Sequence, residues 1–219
     1  MAERPVVIAV DGPAASGKGT LARRLAAHLG YAHLDTGLLY RAVGAAVIAA
    51  GGNPDDAGAA AEAARALNPA DMAAPDEARL RSDAVADAAG RVAAHGPVRE
   101  ALFRFQRGFA EAPPGGAKGA VIDGRDIGTV ICPDADAKIF VEAEVGVRAE
   151  RRVKELRERG LDAIHARVLQ DMKARDARDR FRSVAPLVPA DDAFVLDTTA
   201  LDADAAFAKA LEFIAGRNK

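Results

Sequence analysis

The sequence predicts a three-layer α/β protein in which a parallel five-stranded sheet is covered by helices on both faces. Short apolar runs of four or five residues, each typical of a buried strand, alternate with longer stretches whose apolar residues recur at helical spacing. The first apolar run passes directly into a glycine-rich loop that opens a helix. Strands that alternate with helices along one chain need crossover connections, which produce a parallel sheet between two helical layers.

The first strand, residues 6 to 10, is followed by a glycine-rich loop of residues 11 to 20. Glycines let the backbone curl so that amide N–H groups converge at a helix start, where the helix dipole favours an anion. Lys18 supplies a mobile positive charge for the outer phosphates of a nucleotide. The residues predicted to bind phosphate are Gly12, Pro13, Ala14, Ala15, Ser16, Gly17, Lys18, Gly19 and Thr20.

This loop departs at one position from the strict phosphate-loop pattern, which places Ser or Thr directly after the lysine to contact a metal ion. Gly19 stands at that position and Thr20 follows it. Thr20 is therefore the residue expected to face the metal, directly or through a water molecule.

The first helix shows an amphipathic pattern, because Leu21, Leu25 and Leu29 recur at a spacing of four before Gly30. Residues 31 to 36 then predict a short strand that breaks at Gly37 into a second helix. Arg41 lies near the start of that helix and can point back toward the strand ends. Residues 51 to 54, Gly-Gly-Asn-Pro, end the helix.

The middle of the chain predicts a mostly helical insertion followed by a stronger helix. Residues 57 to 94 are rich in alanine, contain few large apolar residues, and are interrupted by Pro69 and Pro75. Pro97 begins the next helix, which residues 113 to 116 end with a loop. Its apolar stripe is formed by Val98, Leu102, Phe105 and Phe109, and Arg99, Arg104 and Gln106 lie off that stripe.

Three further strands are predicted at residues 120 to 123, 138 to 142 and 194 to 197, with helices at 147 to 159 and 162 to 178. A terminal helix packs through Phe207, Leu211 and Ile214. Acidic residues follow three of the strands: Asp11, Asp35 and the Asp123 to Asp126 cluster. Because ligands bind beyond the carboxyl ends of the strands in an open parallel sheet, one shared pocket is predicted there.

Charge and cysteine content restrict the class of partner. The net charge of −2 gives no overall argument for nucleic acid or membrane binding. Residues 148 to 182 carry twelve Lys and Arg against seven Asp and Glu, a local excess of five that suits a small polyanion. The single Cys132 cannot form an internal disulfide and is expected to be a packed side chain in a reducing cytoplasm. The start of the chain predicts neither a signal peptide nor a membrane span.

Five blocks of sequence, in this order, resemble the bacterial cytidylate kinases, which are phosphate-loop nucleoside monophosphate kinases. The resemblance runs nearly end to end and implies a P-loop NTPase fold. It also implies a core at residues 1–53, 98–147 and 183–219, a monophosphate-binding arm at about 54–97 and a lid at about 148–182. The blocks are residues 11 to 20, 35 to 41, 98 to 102, 123 to 130 and 175 to 180, the last with Arg182 and residues 185 to 187.

The resemblance implies transfer of a phosphoryl group from ATP, with Mg2+, to CMP or dCMP. It implies small nucleotides as the partners, no nucleic acid or membrane, and a monomer. Arg41, Arg99 and Arg125 would hold the acceptor phosphate beside Asp126, and Arg178 and Arg180 would reach the transferring phosphate. The full substrate-binding set is Thr36, Tyr40, Arg41, Arg99, Arg125, Asp126, Arg175, Asp179 and Arg182, and the catalytic set is Lys18, Arg125, Asp126, Arg178 and Arg180.

Chemistry agrees with these assignments. Phosphoryl transfer needs aligned donor and acceptor and neutralised negative charge, and arginine binds phosphate oxygens in pairs while staying protonated. A cytosine edge offers an amine donor beside ring acceptors, which a carboxylate and guanidinium groups can read. Asp179 with Arg175 and Arg182 supplies that set. The lid is expected to close on nucleotide, because ATP held beside water would hydrolyse.

Two departures from the family and three alternatives stay open. Gly90 stands where family members commonly carry Ser near the cytosine, and residues 68 to 81 are shorter than in longer members. A kinase for another monophosphate, such as UMP or AMP, is the nearest alternative. A nucleotide-binding regulatory protein without transfer activity is the second. A GTPase is disfavoured, since no Asn-Lys-x-Asp segment is found.

Overall fold

The protein folds around one sheet of five parallel strands in the order β2-β3-β1-β4-β5. The computed structural model describes residues 4 to 67, 80 and 82 to 217. This sheet confirms the predicted α/β class and the positions of all five predicted strands. The strands are β1 Val6–Asp11, β2 Ala32–Asp35, β3 Gly119–Gly124, β4 Ala137–Glu142 and β5 Phe194–Asp197.

Helices cover both faces of this sheet. Those in the described residues are α1 Lys18–Leu29, α2 Thr36–Ala49, α3 Ala57–Ala66, α4 Asp83–Val92, α5 Gly96–Glu111, α6 Val145–Glu158, α7 His165–Phe181 and α8 Ala203–Arg217. A one-turn 3-10 segment lies at Pro114–Gly116, and a π-helical turn at Ile127–Ile131 directly follows β3. No helix among the described residues is long and apolar enough to cross a membrane.

The central strands are buried on both faces, which explains why they read as unbroken apolar runs. On one face Val10, Ile139 and other strand residues pack against α1 and α8. On the other face Ile122 packs with Ile127, and Phe109 of α5 lies against them. The register pairs Asp35 with Asp123, so the carboxyl ends of β2 and β3 are level.

The predicted insertion packs on the core through helices. Helices α3 and α4 bury alanines and Val92 against Val43 of α2 and Val98 of α5. Small side chains let these helices approach closely, which accounts for the alanine-rich composition. The predicted shortened segment, residues 68 to 81, lies outside the described residues apart from Leu80.

Several boundaries and environments differ from the sequence prediction. Helix α2 begins at Thr36 rather than after Gly37, and α7 runs from His165 to Phe181 rather than from 162 to 178. Gln106 lies off the apolar stripe, as predicted, yet only 1% of it is exposed. Its amide donates to the Leu102 carbonyl one turn earlier in α5, which allows a polar side chain to be buried there.

Candidate active site

The phosphate loop of residues 11 to 20 forms the predicted curl between β1 and α1. Gly12 has a φ of 148°, and a Cβ there would lie 2.0 Å from the Val141 carbonyl oxygen, so only glycine fits. Gly17 has a φ of 92° and precedes the first helical residue, Lys18. Ala15 also has a left-handed φ of 57°, which is uncommon for a residue with a side chain. Such strain is typical of functional sites.

Residues from distant parts of the chain hold this loop in place. Arg148 of α6 donates from Nη1 to the Ala14 carbonyl at 3.2 Å, and the Thr198 hydroxyl lies 2.9 Å from the Ser16 carbonyl oxygen. Arg151 in turn donates from Nη2 to the Thr198 carbonyl at 2.6 Å. The loop is therefore fixed by its surroundings, as an anion-binding loop requires.

Two side chains inside the loop are suited to a phosphate group. The Ser16 hydroxyl is fully buried and has no hydrogen-bond partner among the described residues. Lys18 places Nζ 3.5 Å from the Pro13 carbonyl oxygen. Burial, together with the nearby Arg125 charge, lowers the pKa of Lys18 to about 7, although Asp123 and Asp35 act against the shift. An anion bound beside Lys18 would favour its charged form.

A cavity of about 350 Å³ opens beside the loop, between β4 and the start of α8. Ser16, Gly17 and Thr20 line one wall, and Leu201 and Ala203 line another. Its size suits a small organic ligand such as a nucleoside. Because the cavity adjoins the phosphate loop, one molecule that carries a base and phosphates can occupy both.

The metal-facing role predicted for Thr20 has less structural support than the phosphate-binding role predicted for the loop. Thr20 is exposed and lies on the cavity wall. A Cβ at the neighbouring Gly19 would lie 3.8 Å from Arg23 Nη1 and 3.9 Å from Asp123 Oδ1. Within the described chain no three His, Cys, Asp or Glu side chains form a metal-binding group. The assignment of Thr20 to a metal stays a prediction.

The carboxylates at the strand ends have different partners. Asp123 is 3% exposed, and its Oδ2 lies 2.8 Å from His33 Nε2. Asp11 instead receives the backbone N–H groups of Ile127 and Gly128 at 2.9 and 2.8 Å. Both oxygens of Asp11 are therefore engaged by the turn after β3, a relationship that the predicted shared pocket did not include.

A compact group of charged side chains, the arginine cluster, forms beside that turn. It contains Arg99, Arg125, Arg175 and Arg182 with Asp126 and Asp179. Arg99 of α5 forms a buried ion pair with Asp126, which also lies 3.7 Å from Arg182 Nη2. Four arginines against two carboxylates leave an excess of two positive charges.

The electrostatics of the cluster favour an added anion. Burial, with the charge of Arg125, lowers the pKa of Arg175 to about 10. Burial and Arg99 likewise lower the pKa of Arg182. Arg175 Nε and Arg182 Nη2 are buried donors without a hydrogen-bond acceptor among the described residues. Such donors are costly to bury alone, so an anionic or carbonyl-bearing ligand would stabilise the cluster.

Three predicted substrate residues of α2 lie near this cluster with different contacts. The Thr36 hydroxyl donates to the Asp123 carbonyl at 2.8 Å. The Tyr40 ring lies 5.7 Å from the Arg99 guanidinium carbon, within range of a cation–π contact. Arg41 donates to the Leu80 carbonyl at 2.8 Å and is close enough to Arg175 to contribute to its lowered pKa.

The two predicted lid arginines lie outside the cluster in this structure. Arg178 donates to Asp87 of α4 at 3.2 Å. A Cβ at Gly90 would lie 2.8 Å from Arg178 Nη1, so the absence of a side chain at Gly90 makes room for this guanidinium. Arg180 is exposed on α7. Their contact with a transferring phosphate stays a prediction.

Several residues that build the site were not identified from the sequence. Arg148, Arg151 and Thr198 support the phosphate loop, and His33 contacts Asp123. Each bridges elements between 47 and 182 positions apart in the chain. The excess positive charge after β4 was the only signal for Arg148 and Arg151, and it did not separate them from solvated arginines.

Comparison with known proteins shows what the chain is similar to. The family model described as cytidylate kinase matches residues 8–215. A cytidylate kinase from Paramagnetospirillum magneticum is 62% identical over 211 residues, covering 96% of this chain and 98% of that protein. A cytidylate kinase from Rhodospirillum rubrum is 56% identical over 214 residues, covering 98% and 99%.

Solved structures share the fold at low sequence identity. An uncharacterized protein from Eubacterium ventriosum superposes with a TM-score of 0.56 at 17% identity, covering 96% of this chain and 98% of that one. An unliganded sugar kinase from Janibacter sp. HTCC2649 gives a TM-score of 0.51 at 15% identity, covering 96% and 95%. These similarities concern the arrangement of strands and helices alone.

Proposed function

Since the chain belongs to the cytidylate kinase family, we propose that it transfers the γ-phosphoryl group of ATP to CMP and dCMP, giving ADP and the nucleoside diphosphates. The observation that carries this proposal is the pairing of two anion sites at one edge of the sheet. One is the phosphate loop after β1, and the other is the arginine cluster beside the turn after β3. A phosphoryl donor and an acceptor phosphate each have a site there.

The donor side would hold ATP through backbone and side-chain donors. The N–H groups of the loop and the N-terminus of α1 would bind its phosphates, and the Ser16 hydroxyl, which has no partner among the described residues, would add a donor. Lys18 would neutralise the outer phosphates as the γ-phosphoryl group leaves. The adjoining cavity, with Thr20 and Leu201 on its walls, would take the nucleoside of ATP.

The acceptor side would hold the monophosphate through arginines. We assign Arg125 and Arg99 to its phosphate, with Arg41 approaching from α2, and Asp126 would orient Arg99 by their ion pair. Guanidinium groups bind phosphate oxygens in pairs and remain charged, so they lower the repulsion between the two phosphates. Catalysis then depends on position and charge rather than on a covalent intermediate.

The base would be read by the α7 end of the cluster. Asp179 is 6% exposed and accepts from Arg125, with Arg175 four residues earlier. Burial acts to raise the pKa of Asp179. The positive charges of Arg125, Arg175 and Arg182 nevertheless hold this pKa below its usual value. An ionised carboxylate accepts from the cytosine amine, and uracil offers no such amine.

We assign a magnesium ion, which would arrive with the nucleotide, to the carboxylates at the strand ends. Mg2+ is commonly bound by one or two carboxylates together with substrate phosphates and water. Asp123, which faces Gly19, and Asp35 beside it would hold the ion, and the ion would neutralise charge on the phosphates. His33 at 2.8 Å would fix the orientation of the Asp123 carboxylate.

We propose further that residues 148–182 act as a lid and the arm of residues 54–97 moves with it. In this structure Arg152 and Arg178 contact Asp83 and Asp87 of the arm helix α4. The carboxylates of both pairs are exposed and such pairs are individually weak, so nucleotide phosphates could compete for the arginines. Hydrogen exchange in α7 should slow when ATP and CMP are both added, and unchanged exchange would contradict closure.

We also propose that the protein is a monomer that acts in the cytoplasm, a reducing compartment in which the single buried Cys132 would stay a thiol. Light scattering of the purified protein tests the first point directly. A mass of twice the chain mass would overturn the monomer.

An acceptor panel tests the proposed reaction. ADP release is followed by a coupled assay with CMP, dCMP, UMP or AMP as the acceptor, and Lys18→Ala serves as the inactive control. We expect the highest kcat/KM with CMP or dCMP. Faster turnover with AMP or UMP would replace the cytidylate assignment. No ADP release with any acceptor would indicate a nucleotide-binding protein without transfer activity.

A further inference from the structure

We infer that Asp11 is a positioning residue for the acceptor side of the reaction, because its carboxylate holds the turn that carries Arg125 and Asp126. The inference rests on the proposed transfer to CMP. Asp11 would then link the two anion sites, because its backbone also leads into the phosphate loop.

Asp11 connects the end of β1 to the turn after β3. It is the last residue of the central strand β1, and its backbone is in register with Gly124 of β3 and Phe140 of β4. Its Oδ1 accepts the N–H of Ile127 at 2.9 Å and its Oδ2 accepts the N–H of Gly128 at 2.8 Å. Both bonds are buried.

The turn after β3 needs such a partner. Ile127 and Gly128 are the first residues of the π-helical turn Ile127–Ile131, so their N–H groups have no acceptor within that turn. A carboxylate at this end satisfies two donors and matches the local dipole. A Cβ at Gly128 would be in ordinary contact with Asp11 Oδ2 at 3.5 Å and would crowd Lys138 Cδ at 3.2 Å.

The turn after β3 also positions two residues of the proposed acceptor side. Asp126 immediately precedes Ile127, and its carboxylate pairs with Arg99. Arg125 precedes Asp126 and places Nε 3.2 Å from Asp179 Oδ2. A rotation of the turn would therefore displace Arg125 and loosen the ion pair that orients Arg99.

The charged form of Asp11 is costly at this buried site, and its two N–H partners offset part of that cost. Burial raises the pKa of Asp11 to about 7, although the N–H bonds from Gly128 and Ile127 oppose the shift. Other charged groups around it have mixed effects: Asp126 raises the pKa and Arg125 lowers it. An uncharged Asn has one acceptor oxygen for the two N–H groups, so its amide would leave one of them unsatisfied.

The phosphate loop has supports that do not depend on this carboxylate. Arg148 holds Ala14, and Thr198 holds Ser16. Loss of the Asp11 side chain should therefore disturb the acceptor site more than the donor site.

The test compares Asp11→Ala and Asp11→Asn with the control Asp136→Ala. Asp136 accepts the N–H of Val7 at 2.8 Å, so it caps the opposite end of β1 away from both anion sites. Binding of CMP and of a non-hydrolysable ATP analogue is measured separately by calorimetry, and the unfolding midpoint of each variant is recorded.

We expect Asp11→Ala to weaken CMP binding by about tenfold or more, since misplacement of a positioning group is costly, and to change binding of the ATP analogue by less than about threefold. Asp11→Asn should also weaken CMP binding more than binding of the ATP analogue, but by a smaller factor. If Asp11→Ala does not fold, the result with Asp11→Asn decides the test. Asp136→Ala should lower the midpoint without changing either affinity.

Wild-type CMP affinity in both Asp11 variants, or equal loss of both ligands, would overturn the inference. So would an equal loss of CMP affinity in Asp136→Ala, because the effect would then follow stability alone. If the unaltered protein itself does not bind CMP, the proposed function fails rather than the role of Asp11.

Discussion

The Nε atom of Arg125 lies 3.2 Å from Oδ2 of Asp179, and this ion pair joins the turn after β3 to helix α7. The two residues are 54 positions apart in the chain, and Asp179 is nearly fully buried. The residue assigned to the acceptor phosphate and the residue assigned to the base therefore contact each other directly. We therefore expect phosphate binding and base reading to be coupled through this pair.

Substitution of Asp179 should change the choice of acceptor more than the rate with the best acceptor. Asp179→Asn keeps the size of the side chain but removes the charge that accepts from Arg125 and that would accept from the cytosine amine. We expect the ratio of kcat/KM for CMP to that for UMP to fall by about tenfold, the order given by one bidentate base contact. The acceptor panel measures the ratio, and an unchanged ratio would remove Asp179 from base reading.

Loss of Arg125 should mainly damage the acceptor side. Arg125→Ala removes a charge from the proposed phosphate site, and one such electrostatic donor typically contributes on the order of 10² to 10³ in rate. Arg4→Ala is the control, because Arg4 forms an ion pair with Asp136 at the opposite end of β1. Steady-state kinetics with varied CMP separate the two, and wild-type kinetics in Arg125→Ala would end its assigned role.

Lys18→Ala should abolish transfer and leave the fold intact, since the Lys18 amine lies beside the phosphate loop and not in the hydrophobic core. Burial lowers the pKa of free Lys18 to about 7, so the amine is mostly neutral above that pH. Bound ATP favours the charged amine, and ATP binding near pH 8 should therefore take up a proton.

Calorimetry in two buffers of different ionisation enthalpy measures that proton. The uptake should fall as the pH is lowered through about 7, because Lys18 is then already protonated before ATP binds. It should be missing in Lys18→Ala. Proton release, or an equal uptake in the variant, would show that another group is responsible.

Two helical glycines should respond oppositely to alanine. A Cβ at Gly44 of α2 would lie 3.0 Å from both Ala88 Cβ and Ala89 N, so Gly44→Ala must move α4. Such overpacking typically costs about 1 to 3 kcal/mol. A Cβ at Gly90 meets only the end of the flexible Arg178 side chain. Gly90→Ala should therefore keep or raise stability, because alanine favours helix by about 0.5 to 1 kcal/mol.

Thermal unfolding measures the contrast between the two variants, and CMP affinity supplies a second readout. Gly44→Ala should lower both, since α4 belongs to the proposed monophosphate-binding arm and α2 carries the predicted substrate residues Tyr40 and Arg41. A Gly90→Ala protein as unstable as Gly44→Ala would mean that Arg178 cannot move from Gly90.

The fold was predictable because its elements depend on local patterns. Buried parallel strands read as apolar runs, and the leucines of α1 recur at helical spacing up to Gly30, which adopts a left-handed φ of 66°. The phosphate loop was predictable for the same reason, since its glycines and lysine are adjacent in sequence.

The rest of the site depends on contacts that sequence patterns do not encode. Asp11 was expected in a shared pocket, yet its oxygens bond to N–H groups 116 and 117 positions away. Arg99 lies off the apolar stripe of α5, where most arginines are solvated, and is 7% exposed because Asp126 neutralises it. Only the resemblance to a family gave these arginines a role.

Phosphorus NMR of the protein with equimolar ATP and CMP tests the central claim most directly. We predict that the resonances of ATP and CMP decline together while those of ADP and CDP rise in equal amounts, and that ATP stays intact when CMP is left out. Loss of ATP to inorganic phosphate at the same rate with and without CMP, or no CDP with CMP present, would contradict the account.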